Sequence, residues 1–337
     1  MKNKMLGATL LISGTAVGAG MLALPMISGM VGFPTSFVIL TIIWALMTYT
    51  GLLILEVNLS LPIKENSFSS MAKSTAGPIA SLLTWISIAL LLYSLTGAYI
   101  SGDTSLLVLL CHKLFHLTPP NWLMSILFTL ILGSIVWYST HAVDKFNRLF
   151  LTIKGFFLIT TMALLMPKIH LHYLITKPQH SLQVWLMIPI FLTSFGYHTV
   201  IPSLTNYLGK KPTELKKAIV LGTSIPFILY SLWLITTLGT IPQYGPKSFL
   251  MLSQHNSVAQ LTIAIMQLSK NPWVSFGVNC FANVAVVTSF LGASLGLFDF
   301  NADVYTIGDT LPERLKTAAI TFLPPLLFSI IYPHGFL

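Results

Sequence analysis

Long apolar runs, parted by short polar and basic stretches, organise this 337-residue chain. A bilayer-spanning helix needs roughly 20 mostly apolar residues. Nine segments reach that length: 5–28, 34–57, 79–110, 123–140, 147–167, 184–208, 217–240, 273–299 and 315–332. The runs are continuously apolar and do not alternate, which predicts helices and not barrel strands. A weaker stretch, 248–269, is interrupted by polar residues and is expected to form an interfacial or loop helix. The first run follows Lys2 and Lys4, as a signal peptide would. It carries glycine and proline through Pro25, has no distinct small-residue cleavage site and leads straight into another span, so it reads as a retained helix.

Composition excludes a water-soluble domain. Hydrophobic side chains make up 54% of the chain, charged ones 8%, and the mean hydropathy is +0.80. Soluble domains carry about a quarter charged residues, and this much apolar surface cannot face water. The net charge of +9 is spread through short loops, which is a topology signal and not a nucleic-acid patch. One side of the membrane collects Lys2, Lys4, Lys64, Lys73, Lys145, Arg148, Lys210, Lys211, Lys216, Lys217, Arg314 and Lys316. The other collects Lys113, Lys168, Lys177, Lys247 and Lys270. The richer side is expected to be cytoplasmic, with the N-terminus inside, and this alternates correctly through nine spans. Cys111 and Cys280 match no metal or redox spacing and are expected to be free.

Two spans differ from the others. The first carries Gly14-Thr15-Ala16-Val17-Gly18-Ala19-Gly20 near its middle, and the sixth carries Thr193-Ser194-Phe195-Gly196-Tyr197-His198, with Pro202 a turn later. The sixth span comes five after the first, an odd spacing, so the two cross the membrane in opposite directions. Glycine and proline interruptions at corresponding places in two halves predict an inverted-repeat transporter with its binding site at the breaks. The repeats would be 1–167 and 184–337, the second incomplete, within one transmembrane domain over 1–337. Gly14 and Gly18 also form a small-xxx-small motif suited to helix packing, and the matching break in the sixth span favours unwinding.

An unwound span frees backbone groups that lipid cannot satisfy. At Ala19 and Gly20 the second half-helix would offer free N–H groups and a positive dipole end to a carboxylate. Carbonyls near Ser13 and Gly14 would suit an ammonium or a cation. The sixth span repeats the pair in the opposite sense, so together the breaks match a zwitterion such as an amino acid. The expected binding set is Gly14, Thr15, Gly18, Ala19, Gly20, Ser194, Phe195, Gly196, Tyr197 and His198. Tyr93 joins it in an aromatic wall to which Tyr99 could also contribute. His198 can bond the solute, relay a proton or cap freed backbone. Lys154 is the only Lys or Arg well inside a span, and at that depth it is a candidate for proton coupling. A lysine snorkelling back to the headgroups is the competing reading. Glu56, Asp103 and Asp299 lie nearer span ends and are expected to be solvated or structural. No cofactor and no metal site is expected.

Several segments are also similar to a known family. The run GTAVGAGMLALP from Gly14 to Pro25 resembles the first span of the bacterial hydroxy and aromatic amino acid permeases, in the amino acid/polyamine/organocation superfamily. So do TSFGYH at 193–198 with IPS at 201–203, the FNR…K run from Phe146 to Lys154, LFDFNAD at 297–303 and TFLPPLLFSIIYP at 321–333. Within that family the tyrosine-specific transport proteins are most similar, with tryptophan permeases close behind. The resemblance covers nearly the whole chain. It implies an all-α membrane fold of the LeuT type and import of tyrosine with a proton across the bacterial cytoplasmic (inner) membrane. It also implies that Lys154 stands in for a coupling sodium ion. Thr288 and Ser289 are the residue types that complete a sodium site in sodium-driven members of the fold. Family members usually carry further spans beyond the ninth, so a C-terminally shortened second repeat is expected.

The expected function is therefore secondary transport by alternating access, with an aromatic amino acid, a proton and membrane lipid as partners. The competing readings are a truncated, non-transporting amino-acid-binding protein or sensor, and a permease preferring tryptophan. An intramembrane enzyme finds no carboxylate near mid-membrane to pair with His198. A channel finds no filter motif.

Overall fold

The computed structural model describes residues 2–61, 68–175, 184–245, 248–253, 258–308 and 310–333. Lys64, Lys177 and Lys247 lie outside the described residues, as do the side chains of Lys2, Lys145 and Arg148. The described chain forms fourteen α-helices: α1 (Lys2–Ala16), α2 (Gly20–Val31), α3 (Phe33–Ser60), α4 (Phe68–Phe115), α5 (Asn121–Tyr138), α6 (Thr140–Leu165), α7 (Leu171–Leu174), α8 (Val184–Ser194), α9 (Ile201–Leu208), α10 (Pro212–Thr240), α11 (Phe249–Ser253), α12 (Val258–Ser269), α13 (Pro272–Val304) and α14 (Leu311–Ile331).

Eight stretches are long and apolar enough to cross a membrane, and α1 with α2 makes a ninth as a bent pair. These are the nine spans expected from hydropathy, with ends moved by a few residues. A helix is the form in which such a segment satisfies its own backbone in lipid. Large apolar side chains such as Leu90, Ile131, Phe156, Ile228 and Leu327 stay exposed on the outer surface, as a lipid-facing surface requires. The protein is thus a multi-pass, all-α membrane protein.

The first span is broken at Val17–Ala19, where α1 and α2 meet at 53°. The sixth, Val184–Thr205, loses its helix at Phe195–Tyr197, passes through a 3₁₀ turn at His198–Val200 and resumes as α9. Both interruptions fall on the glycine-containing runs singled out in the sequence. In α4 a third discontinuity lies at Gly77, whose φ of +86° only glycine adopts readily, with Pro78 opening the long segment beyond it.

The helices pack in two groups. The first is α1, α2, α3, α8, α9 and α10; the second is α4, α5, α6, α13 and α14. Each has a core of its own. Ile12, Leu55, Tyr197, Ile201, Leu204 and Ile219 fill the first, and Ile100, Phe128, Val136, Phe290, Phe298 and Phe322 fill the second. A third and larger core joins the groups. It draws Leu22 and Met26 from α2, Leu106 from α4, Leu158 from α6, Trp233 from α10 and Phe281 from α13. Phe249 of α11 and Leu261 and Ile265 of α12 close it. The 248–269 stretch is therefore more than a surface helix, because one face of α12 is buried against α13.

Candidate functional site

Side chains from distant helices meet the freed backbone at the first break. The Ala19 N–H donates to the Ser289 hydroxyl of α13 at 2.8 Å. The Lys154 ammonium, on α6 and 3% exposed, donates to the Val17 carbonyl and, at 3.2 Å, to the Thr288 hydroxyl. The Tyr230 hydroxyl of α10 lies 2.6 Å from the Ala16 carbonyl and 2.8 Å from the Ser194 carbonyl, so one side chain touches both breaks. Trp233, a turn further on, donates its indole N–H to the Met21 carbonyl at 3.1 Å. Below the break, the Ser13 hydroxyl lies 2.9 Å from the Gly222 carbonyl of α10. The amides of Gly18 and Gly20 find no hydrogen-bond partner among the described residues. They are the donors left for an anion, whereas the Ala19 amide, expected to be free, is already engaged.

Close approach explains the glycines. A Cβ on Gly18 would collide with the Ser289 hydroxyl, and one on Gly20 would sit 2.9 Å from Ser194 Oγ and 3.2 Å from Ser194 Cα. The two breaks are therefore in direct contact through Gly20 and Ser194.

Several other expected residues lie close by but point elsewhere. Gly14 is half-buried against Leu151, and Thr15 is exposed with its hydroxyl returned to the Leu11 carbonyl at 2.8 Å. Phe195 is fully buried, its ring 5.2 Å edge-on from Tyr230. Gly196 is exposed at the second break. The Tyr197 hydroxyl donates to the Met47 carbonyl of α3 at 2.9 Å, and His198 Nε2 lies 3.0 Å from the Thr50 hydroxyl of the same helix. These two rings stack 4.6 Å apart and tie the second break to α3.

Tyr93 stands apart from both breaks. Its hydroxyl bonds Asn301 of α13 and the Ile320 carbonyl of α14, and Asn301 also donates to Thr321 at 3.2 Å. Asn301 lies twelve residues beyond Ser289 on α13, or about 18 Å along a helix. Tyr93 thus braces α4 against α13 and α14. Tyr99 is the tyrosine of α4 that reaches the site, where it interacts with the Ser289 hydroxyl. Tyr230 and Trp233 were not anticipated, since nothing marks one aromatic residue among many in a uniformly apolar span.

The two broken helices thus form a polar junction, with a lysine bonded to one break. The sequence profile of the tryptophan/tyrosine permease family matches residues 1–337. The chain belongs to that family. A tryptophan-specific transport protein of Pseudomonas aeruginosa is 35% identical to this permease over 99% of the chain and 80% of its own length. A tyrosine-specific transport system of Haemophilus influenzae is 33% identical over 100% of the chain and 82% of its own. A tyrosine permease of Enterobacter agglomerans is 30% identical over 98% and 81%. All three are named as transporters or permeases, and this permease is likewise not an enzyme. A solved Na+-coupled sialic acid symporter, in a substrate-bound outward-open state, aligns with 98% of the permease and 78% of its own chain at 11% identity and a TM-score of 0.49.

Proposed function

We propose that the permease imports an aromatic amino acid, tyrosine as first candidate, across the bacterial cytoplasmic membrane by proton symport with alternating access. The N-terminus is cytoplasmic in this reading, because the basic loops fall on that side. Residues 1–167 and 184–337 act as inverted repeats whose first helices are the broken ones. The solute carboxylate meets the amides of Gly18 and Gly20. Its ammonium meets the carbonyls of Ala16 and Ser194, between which the Tyr230 hydroxyl has one proton to offer.

The observation that carries proton coupling is Lys154. It is buried, and its ammonium bridges the Val17 carbonyl of the break to Thr288 of α13. A cation there links the two groups of helices, and losing its proton leaves the lysine one donor fewer to hold them together. The thermodynamic consequence is coupling between protonation and conformation.

The test is uptake of labelled tyrosine into proteoliposomes under an imposed pH gradient without sodium, with tryptophan and phenylalanine as competitors. Gradient-driven accumulation in wild type, lost in Lys154→Ala, is expected. Accumulation that persists in Lys154→Ala removes the lysine from coupling. Competition by tryptophan stronger than by tyrosine itself reassigns the solute, a reading that the 35% identity to a tryptophan-specific transporter keeps open.

A further inference from the structure

One ionisable side chain at membrane depth has no part in the scheme above. Asp103 is 1% exposed, and neither carboxylate oxygen has a hydrogen-bond partner among the described residues. It lies twelve residues before the end of α4 and is buried, not solvated.

The helix fixes its surroundings. Asp103 follows Tyr99 by four residues and precedes Leu106 by three, so the three share one face of α4. Leu106 belongs to the large core that joins the two helix groups, and Tyr99 packs against it. The carboxyl therefore stands about one turn beyond the first break. It is displaced toward the end of the molecule covered by α11 and α12, since Cys280 near the start of α13 is close to Lys113 near the end of α4.

Among the described residues no charge compensates it. Of the helices packed on α4, α12 carries no titratable side chain and α5 only Tyr138, at its far end. On α13, Cys280 faces Lys113, while Asp299 and Asp303 lie ten and more residues beyond Ser289. On α14, Glu313, Arg314 and Lys316 lie in the first two turns, with Glu313 bonded to Thr310. Tyr332 meets α4 at Ser101, two residues from Asp103 and so on another side of the helix. Lys154 is engaged with Val17 and Thr288. An ionised carboxylate without partners cannot be held in such an interior, whereas the neutral acid can.

We propose that Asp103 is a proton-binding site of the transport cycle, separate from Lys154, and that its carboxyl carries a proton whenever the end covered by α11 and α12 is sealed. The carboxylate takes that proton from hydronium when water reaches it, leaving water behind, and returns it by the same route. Sealing then requires an acid that is loaded first. The inference rests on the transporter reading for its role in the cycle, but the protonation itself can be observed without transport.

The experiment uses the full chain in proteoliposomes. Infrared spectra of wild type at neutral pH are expected to show the C=O stretch of a protonated carboxyl, absent in Asp103→Asn. Should that variant not fold, aspartate-selective carbon-13 labelling assigns the band to an aspartate in wild type, and loss of the isotope shift in Asp103→Glu assigns it to this position. A folded wild type without the band overturns the proposal. In solute exchange, wild-type activity is expected to fall about tenfold per pH unit as Asp103 ionises, and Asp103→Asn is expected to lose that component while keeping the one Lys154 contributes. Identical pH profiles overturn the role in the cycle. A wild type that shows the band but exchanges no solute refutes the transporter reading and leaves the protonated acid standing.

Discussion

Replacing Gly20 by alanine tests whether the two breaks are packed as tightly as their contact implies. The added Cβ would lie 2.9 Å from Ser194 Oγ, 3.2 Å from its Cα and 3.4 Å from its Cβ. The hydroxyl could swing away only by giving up its 2.8 Å bond to the Ile190 carbonyl, a loss of about 0.5–1.5 kcal/mol. The Cα is backbone and can retreat only if α2 and α8 separate. Overpacking of this kind costs about 1–3 kcal/mol, offset by up to about 1 kcal/mol from alanine's better helix propensity. The net expectation is a destabilisation of about 1–2 kcal/mol, or a 5- to 30-fold shift in the folding equilibrium. Thermal unfolding in detergent measures it. Gly292→Ala is the control, since nothing lies within 4 Å of its Cβ position, and it should gain about 0.5–1 kcal/mol. The double variant with Ser194→Ala removes the 2.9 Å contact but keeps the 3.2 Å one, so it should recover only part of the loss. If Gly20→Ala is as stable as Gly292→Ala, the breaks are not in contact and the steric argument is wrong.

Tyr230→Phe keeps the ring and removes the hydroxyl that serves two buried carbonyls. Unfolding should show a loss of about 1–3 kcal/mol; an unchanged stability would mean that this bridge contributes nothing. Asn301→Leu strips partners from Tyr93 and Thr321 and should also cost about 1–3 kcal/mol, with the order of competing solutes unchanged. A changed order in competition assays would return Tyr93 to the binding site.

The spans could be read from the sequence because lipid imposes a length and a polarity on every helix independently of its neighbours. The breaks could be read because glycine runs are local. What escaped reading was non-local. Ser289 engages the Ala19 amide across 270 residues of chain, and Ser13 meets Gly222 across 209. Neither pairing leaves a mark in the local pattern. Tyr93 and Tyr99 both looked like wall residues, but six positions on a helix turn a side chain through 600°, so the two face different neighbours. Asp103 was misjudged for the same reason. Its burial comes from α5, α12, α13 and α14 packing around α4, which a hydropathy pattern does not show. Lys154 was legible because a lone lysine in an apolar run is conspicuous wherever it points.

The three apolar cores divide the molecule unequally. On the half covered by α11 and α12, a single core welds the two helix groups together; on the opposite half each group keeps a separate one. The protein is therefore shut at one end by a thick plug and merely abutted at the other. A plug made of Trp233, Phe281, Phe249 and their neighbours cannot open by a change of rotamer. The helix groups must part, and each 100 Å² of apolar surface wetted costs about 2.5 kcal/mol. In the proposed cycle that cost would be offset at the far end, where the two small cores would fuse as the large one divides. If the permease works by the alternating access proposed above, the asymmetry of the cores is one half of an exchange in which one seal is traded for another across the pair of broken helices.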